Sequence, residues 1–274
     1  MAVELTTIFS DKVDDAFTIG AVSNPFTNQD YTWDGARSII ATSTNTVDMT
    51  DYTTVGTSRY GTPAEATGNQ QTMTLNKDRA FTYTVDKMRE NETQLKAEKI
   101  LARQLAEVIV PEVDIYRFAE MFKGGTNLTT NYGSKAYEAV VRANEKLDEA
   151  KVPTANRMIV TKSTFYADLK LDPAFTGLGD LAQSDIKYKG QVGMVDGASV
   201  VRVPANYLPT GVSFIIAHAS ATVAPIKLAD YKIHLDAPGI SGSLVEGRIY
   251  YDAFVLNQKK NAIVSYKPTG TVAG

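Results

Sequence analysis

Residues 39–86 alternate between apolar and polar side chains over two long runs. From Thr72 to Asp86, one face carries apolar and basic residues and the other is rich in threonine. Alternation with period two over fifteen residues predicts a single long strand. A second, more polar run covers residues 39–49, and glycines and a proline separate the two runs. The pattern predicts an extended two-stranded β-hairpin loop that occupies residues 37–88.

The predicted hairpin is long for a protein of this size. Its strands would reach about 50 Å at ~3.3 Å per residue, and an isolated two-stranded ribbon is only marginally stable in water. We therefore expect its far end to rest on another copy of the protein, the alternative being a hairpin folded back onto its own domain. Arg59 near the tip and the strand residues Lys77 and Arg79 are expected to contact a neighbouring copy; the alternative is that they are solvated surface charges.

Residues 92–122 repeat apolar side chains at three- and four-residue spacing. This spacing predicts an amphipathic helix of about 45 Å, at ~1.5 Å per residue. Pro111 lies inside it and is expected to kink or break the helix, because proline has no amide proton to donate. Charged residues, including Arg103, Asp114 and Arg117, are predicted on the opposite face, which meets solvent or another subunit.

Shorter elements follow the long helix. The pattern predicts helices at residues 135–150 and 164–171, and strands at residues 158–160, 193–195, 198–203 and 213–217. This mixture predicts an α/β unit over residues 125–225. Residues 226–274 are rich in strands and are predicted to pack beneath the helix, forming one unit with residues 89–124. The predicted class of the whole chain is α+β.

Residues 1–36 are predicted to form an N-terminal arm. They carry six acidic residues against Lys12 alone, so their net charge is 1 − 6 = −5. Phe17 belongs to a short apolar stripe that follows a plausible helix cap at Ser10. The segment has too few apolar residues to form a core of its own. It is either a surface extension or a tether that lies on a neighbouring subunit, which Phe17 would then contact.

Composition excludes several function classes. The 274 residues include 43% hydrophobic and 22% charged side chains, which is typical of a globular protein. The net charge of −3 lacks the basic excess of a nucleic-acid-binding domain. The absence of cysteine excludes disulfides, thiolate metal ligands and a cysteine nucleophile. No apolar run approaches the ~20 residues of a membrane helix. The N-terminus does not have the pattern of a secretory signal, so we expect a soluble protein made in a cytoplasm-like compartment.

No motif identifies an active site. The two histidines, His218 and His234, lie in apolar, strand-like stretches, where a core or interface role is the ordinary one. Residues 239–243 have serine where a nucleophile elbow needs its second glycine. Residues 177–182 match a relaxed dinucleotide fingerprint but follow a turn instead of a strand. We therefore expect no catalytic, cofactor or metal site.

The order of the elements resembles a known family. An acidic arm, a long hairpin, a long helix, an α/β insertion and returning strands together resemble the major capsid protein of tailed bacteriophages. Residues 91–122, and the run from residues 219–223 through 250–256 to the end, are similar to coat proteins of siphophages that infect Gram-positive hosts. The resemblance implies a fold with an N-arm (1–36), an extended loop (37–88), a peripheral domain with a spine helix (89–124 and 226–274) and an axial domain (125–225).

The resemblance also implies a structural protein and not an enzyme. Copies would assemble in the host cytoplasm into hexamers and pentamers, forming the icosahedral shell of a virion. The shell would enclose double-stranded DNA without sequence-specific binding, and Arg59 would reach across a capsomer boundary. Implied partners are a separate scaffolding protein, a portal protein and, as an optional addition, a decoration protein. Cofactors, membrane contact and covalent cross-links are not expected.

Two alternatives remain open from the sequence. One is an encapsulin-type nanocompartment shell, which shares the fold. The other belongs to a different class: a cytoplasmic α/β enzyme that uses His218 and the loop at residues 173–191. The enzyme would form a small oligomer, whereas a shell protein would form particles.

Overall fold

The computed structural model describes residues 21–28, 38–44, 46–63, 65, 67–87, 97–133, 135–176, 193–235, 238–239 and 241–269. The helices there are α1 (Ala97–Gln104), α2 (Val110–Gly124), α3 (Ala136–Glu149), α4 (Ser163–Leu171) and α5 (Pro173–Thr176). The strands are β1 (Ser38–Thr44), β2 (Gly68–Thr74), β3 (Lys77–Asp86), β4 (Thr126–Leu128), β5 (Arg157–Lys162), β6 (Met194–Val195), β7 (Ala198–Val203), β8 (Phe214–His218), β9 (Thr222–Val223), β10 (Ile226–His234), β11 (Gly242–Tyr251), β12 (Phe254–Val255) and β13 (Ile263–Tyr266). This mixture confirms the predicted α+β class.

The long helix predicted for residues 92–122 is present from Ala97 onward. It consists of α1, a π-helical turn at Leu105–Ile109 and α2. Pro111 is the second residue of α2 and follows the π turn directly, so the proline cannot donate a hydrogen bond into the preceding turn of this continuous helix. In the π turn, the amide of Val110 donates to the carbonyl of Leu105, five residues earlier. The helical backbone therefore continues through Pro111, and this wider turn is the irregularity beside the proline.

A three-stranded antiparallel sheet, in the order β10-β11-β3, packs against the first half of the long helix. Along β11, buried residues alternate with more exposed ones, so one face of the sheet is buried. That face supplies Val245, Ile249 and Tyr251, which pack with Leu105 and Val113 of the helix. Apolar burial of this kind contributes about 25 cal/mol per Å². It fixes the sheet to the helix.

A six-stranded sheet forms the second layer, in the order β4-β13-β8-β5-β7-β6. Its neighbours pair antiparallel except for β5 with β7 and β13 with β4, which are parallel. Helices α3 and α4 cover one face, where Leu147 and Phe214 belong to the core. The C-terminal half of α2 covers the other face through Phe118 and Met121. The long helix therefore contacts both sheets.

The chain end differs from the predicted division into domains. That division placed all of residues 226–274 with the long helix, whereas β13 lies inside the six-stranded sheet, between β4 and β8. All four residues of β13 are buried. The returning chain thus completes the core of the unit that was predicted for residues 125–225.

The predicted hairpin is present, but it is shorter than expected. β1 pairs with β2 in antiparallel register, from Ser38 opposite Thr74 to Thr44 opposite Gly68. β3 pairs with β11 instead. The prediction of one strand from Thr72 to Asp86 is therefore wrong, because the chain leaves one sheet after Thr74 and enters another at Lys77. The more buried residues of β2 and β3 both lie at odd-numbered positions, so the sequence alternation continues across the break although the two strands belong to different sheets.

Part of the predicted arm lies on the protein's own body. The ring of Phe26 is fully buried and packs edge-to-face on Phe118, with the centroids 5.7 Å apart. The amide of Asn28 donates to the carbonyl of Thr222 at 2.7 Å. Of the two interpretations of the arm, the tether on a neighbouring subunit is therefore wrong for residues 21–28, which pack on their own chain. Phe17 lies outside the described residues.

Candidate functional site

The hairpin ends in an exposed loop at residues 46–63. Backbone and ring contacts order this loop: the amide of Thr53 donates to the carbonyl of Arg59 at 3.1 Å, and Tyr52 packs edge-to-face on Tyr60 at 5.1 Å. Four apolar side chains of the loop are between 62% and 98% exposed: Val47, Met49, Val55 and Tyr60. Apolar side chains gathered on one projection are typical of a surface that contacts another protein.

Arg59 lies within this loop, as predicted. Its Nε donates to the carbonyl of Gly56 at 3.2 Å. The residue is exposed, and its contact with another copy stays a prediction.

The base of the hairpin rests on the body through an apolar cluster and one amide side chain. Met73 and Leu75 are buried against Val223 and Leu256. Gln71 makes two hydrogen bonds that imitate a strand ladder: its Nε2 donates to the carbonyl of residue 255 at 3.0 Å, and its Oε1 accepts from the amide of residue 257 at 2.9 Å. These contacts hold only the base, so the loop projects.

Asp252 joins the hairpin to the long helix. We call Leu75–Asn76, between β2 and β3, the elbow. The buried carboxylate of Asp252 accepts from the elbow amide of Asn76 at Oδ2, at 2.8 Å. Its Oδ1 accepts from the hydroxyl of Tyr116 at 2.6 Å and from the amide of Ala253 at 2.8 Å. Burial and the hydrogen bond to Asp252 raise the pKa of Tyr116, so this hydroxyl remains a donor.

A buried polar cluster holds residues 21–28 to α2; we call Ser23, Asp114 and Arg117 the clasp. Asp114 accepts from the amides of Val22 and Ser23 at 3.0 and 3.1 Å and from the Ser23 hydroxyl at 2.6 Å. The same hydroxyl accepts from Arg117 at 2.8 Å. Arg117 also donates to Asn24 Oδ1 at 2.7 Å. Ser23 therefore bridges the two charged side chains.

The clasp shows that part of the helix face predicted to meet solvent or another subunit is buried within the chain. Asp114 and Arg117 were expected toward solvent or another subunit, but their exposed fractions are 0% and 2%. Burial raises the pKa of Asp114, although the Ser23 and Val22 hydrogen bonds and Arg117 oppose the shift. Burial also lowers the pKa of Arg117 to about 10. The prediction failed because residues 21–28 cover this part of α2.

Two other predicted contact residues lie on β3 and not on the hairpin. Lys77 Nζ lies 4.9 Å from the centroid of the Tyr116 ring. Arg79 Nε donates to Glu112 of the same chain at 2.7 Å, in an exposed ion pair. Arg103 also keeps a partner within the chain, at 2.8 Å from Glu107. Contacts of these cations with a neighbouring copy stay predictions.

His218 serves as a local cap. Its Nδ1 accepts from the amide of Ser220 at 3.2 Å and lies 2.9 Å from the hydroxyl of that residue. Burial and the nearby Lys259 and Arg157 lower the pKa of His218. Among the described residues, no group of three or more acidic or histidine side chains could hold a metal ion. In the same part of the chain, no helix has the length and hydropathy needed to cross a membrane.

Comparisons with known proteins give matches among solved structures. No family model matches the sequence, and no curated protein matches it. A structure from Mycobacterium phage Che8 matches with a TM-score of 0.72 and 18% identity over 90% of both chains. The mature capsid of bacteriophage PhiM1 matches with a TM-score of 0.67 and 12% identity, over 87% of this chain and 84% of that one. The chain has the fold of tailed-phage major capsid proteins.

A particle that is not described as a phage also matches this fold. A virus-like particle from Pyrococcus furiosus matches with a TM-score of 0.61 and 11% identity, over 96% of this chain and all of that one. At such low identity the likeness shows the fold alone.

Sequence reasoning found the exposed loop of this capsid fold but missed the residues that hold the base of the hairpin and residues 21–28 to the rest of the chain. Gln71 and Ser23 belong to no motif and no periodic pattern, and Asp252 is predicted only as one position of an alternating strand over residues 245–256. One signal was available for Asp252: it is a lone carboxylate in the otherwise apolar run of residues 249–256. A carboxylate in such a run is expected to have specific donors. Nothing comparable marks Gln71 or Ser23.

Proposed function

We propose that this protein is the shell subunit of a tailed phage. Copies assemble into hexamers and pentamers that close an icosahedral shell around double-stranded DNA. The observation that carries the proposal is the capsid fold, which extends over 84% or more of both chains in the structures compared. The exposed apolar side chains of residues 46–63 support it, since they lie on a projection available to another copy.

Many weak contacts give such a shell its stability. Each apolar side chain of the loop that becomes buried contributes about 1.5–3 kcal/mol before losses of conformational freedom. An exposed ion pair adds about 0.2–1 kcal/mol. Arg59, Lys77, Arg79 and Arg103 are the cations proposed to add pairs with neighbouring copies. The sum over several neighbours would stabilise a closed particle although each contact is weak.

The proposal includes partners and a place in the virion. Assembly would occur in the host cytoplasm with a scaffolding protein, a portal protein and, optionally, a decoration protein. The net charge of −3 suits a container, because a strongly basic lumen would bind DNA through its phosphates and hinder packing. The proposal assigns no catalytic, metal or cofactor role to any residue.

A second candidate is the shell of a cellular nanocompartment. The likeness to the Pyrococcus furiosus virus-like particle favours it, because that match covers all of the other chain. The content of purified particles separates the two functions. Nuclease-protected double-stranded DNA in the particles supports the phage shell, and a protein cargo without DNA supports the nanocompartment.

Electron microscopy of the purified full chain tests shell formation directly. We expect capsomers or closed particles by negative staining, and a megadalton species by light scattering, either alone or after co-expression with a scaffolding protein. A monodisperse monomer under every assembly condition would overturn both shell functions.

Shortening the hairpin loop should abolish assembly and leave the fold intact. Replacement of residues 47–62 by a short Gly-Ser linker removes the exposed apolar side chains and spares the base at Gln71 and Met73. We expect unchanged far-ultraviolet circular dichroism and thermal unfolding, with no particles by light scattering. A second variant keeps the loop length but replaces Val47 and Met49 by serine. It removes only part of the exposed apolar surface and should assemble less than the parent chain. An unfolded shortened chain, or one that still closes into shells, would contradict the role of the loop.

A further inference from the structure

The direction of the hairpin is set over a short stretch of chain. β2 ends at Thr74, β3 begins at Lys77, and the two strands belong to different sheets. Two polar contacts hold the elbow between them: Asp252 accepts from the amide of Asn76 at 2.8 Å, and Tyr250 donates to the carbonyl of Leu75 at 2.7 Å. The elbow is therefore where the hairpin could turn relative to the three-stranded sheet.

A small rotation at the elbow moves the far end of the hairpin by about the distance that separates two apolar atoms in contact. β2 has seven residues and so extends about 23 Å at ~3.3 Å per residue. A rotation of about 10° at its base displaces its far end by roughly 4 Å, which is about the distance over which two apolar atoms are in contact. The elbow geometry, together with the base contacts of Gln71 and Met73, thus affects where the loop at residues 46–63 meets another copy.

We propose that Asp252 is the positioning residue that sets the direction of the hairpin and thereby the geometry of shell closure. This inference rests on the proposed shell function. Asp252 follows the end of β11 and reaches two distant parts of the structure, the elbow amide of Asn76 and the hydroxyl of Tyr116 on α2, while the amide of the adjacent Ala253 donates to the same carboxylate. Asp252 therefore ties the hairpin both to the long helix and to the end of β11.

The chemistry of the site requires a carboxylate. All three groups that face Asp252 are donors, and an ionised carboxylate has only acceptor oxygens. Asparagine has the same shape but only one acceptor oxygen. If this oxygen faces Tyr116 and Ala253, its NH₂ group meets the amide of Asn76, donor against donor. The reverse orientation would leave both the Tyr116 hydroxyl proton and the Ala253 amide without an acceptor, so the first orientation is favoured. Asp252→Asn is therefore expected to release the elbow while changing almost nothing in side-chain volume.

Distance measurements on unassembled subunits test the inference. The chain has no native cysteine, so Thr44→Cys on the hairpin and Thr82→Cys on β3 can carry two nitroxide labels. We expect one narrow distance distribution in the parent chain and a shifted or clearly broader one in the D252N chain. Asp168→Asn, an exposed position on α4, makes the same chemical change elsewhere and should leave the distribution narrow. An unchanged distribution in D252N would overturn the inference.

A second measurement covers the case in which D252N does not fold. In the chain with its native residues, the amide of Asn76 should exchange with deuterium far more slowly than the amides of the exposed loop at residues 46–63. Tyr116→Phe removes one donor from Asp252 and should speed the exchange of Asn76 without altering that of the loop. Exchange of Asn76 at loop rates in the native chain would overturn the proposal.

Assembly assays test whether the elbow affects closure of the shell. If the parent chain forms closed shells, D252N should form open or irregular assemblies, whereas D168N should form closed ones. Normal shells from a D252N chain with a loosened elbow would overturn the link between direction and closure. Failure of the parent chain to form any particle would instead overturn the proposed function, because the distance and exchange measurements do not depend on assembly.

Discussion

Replacement of Asp114 by alanine is expected to lower the free energy of unfolding by about 3–5 kcal/mol. The change leaves Arg117 buried without its nearby opposite charge. It also removes the acceptor of the Val22 and Ser23 amides and of the Ser23 hydroxyl. A buried donor without a partner costs about 1–3 kcal/mol. Urea unfolding followed by circular dichroism measures the loss.

Glu107→Ala is the matched control for this change. Glu107 lies in the same long helix and pairs with Arg103 at 2.8 Å, but both side chains are largely exposed. Removal of such a pair is expected to cost less than about 1 kcal/mol. Hydrogen exchange should also show earlier opening of residues 21–28 in the Asp114→Ala chain alone. Equal losses in the two variants would mean that the clasp does not stabilise the fold.

Replacement of Arg157 by methionine is the second change with a large expected effect. Arg157 is buried and closes the connection between α3 and β5 with its guanidinium group. It donates to the carbonyls of Val152 and Pro153 at 2.6 and 3.0 Å, to Asp148 at 2.6 Å and to Asn144 at 3.3 Å. We expect a loss of about 3 kcal/mol, since the two carbonyls and Asn144 lose a charged donor.

Arg142→Met provides the comparison for Arg157. Arg142 lies on the exposed face of α3 and pairs with Glu145 at 2.9 Å. The same chemical change at this position should alter the free energy of unfolding by no more than about 0.5 kcal/mol. Thermal and urea unfolding of both variants give the comparison. If the free energy of unfolding falls no more in Arg157→Met than in Arg142→Met, the α3–β5 connection does not depend on the Arg157 guanidinium for its stability.

The candidate site was partly predictable. Glycines and a proline between two alternating runs located the exposed loop and placed Arg59 within it. Apolar spacing likewise located the long helix, whose described part begins at Ala97. The elbow at Leu75–Asn76 was not predictable, because alternation reports that one face of a strand is buried and not which strand lies beside it. Lys77 and Arg79 were therefore assigned to the wrong sheet.

The amino-acid sequence by itself determined the α+β class, the amphipathic helix and the presence of a projecting loop, because these follow from local periodicity and from the turn residues. Only the tertiary structure decided that Asp114 is buried, that Asp252 joins three elements and that β13 completes the six-stranded sheet. These depend on segments far apart in the chain, such as residues 21–28 over α2. A charged side chain has no local pattern that tells whether such a segment will cover it and supply its hydrogen bonds.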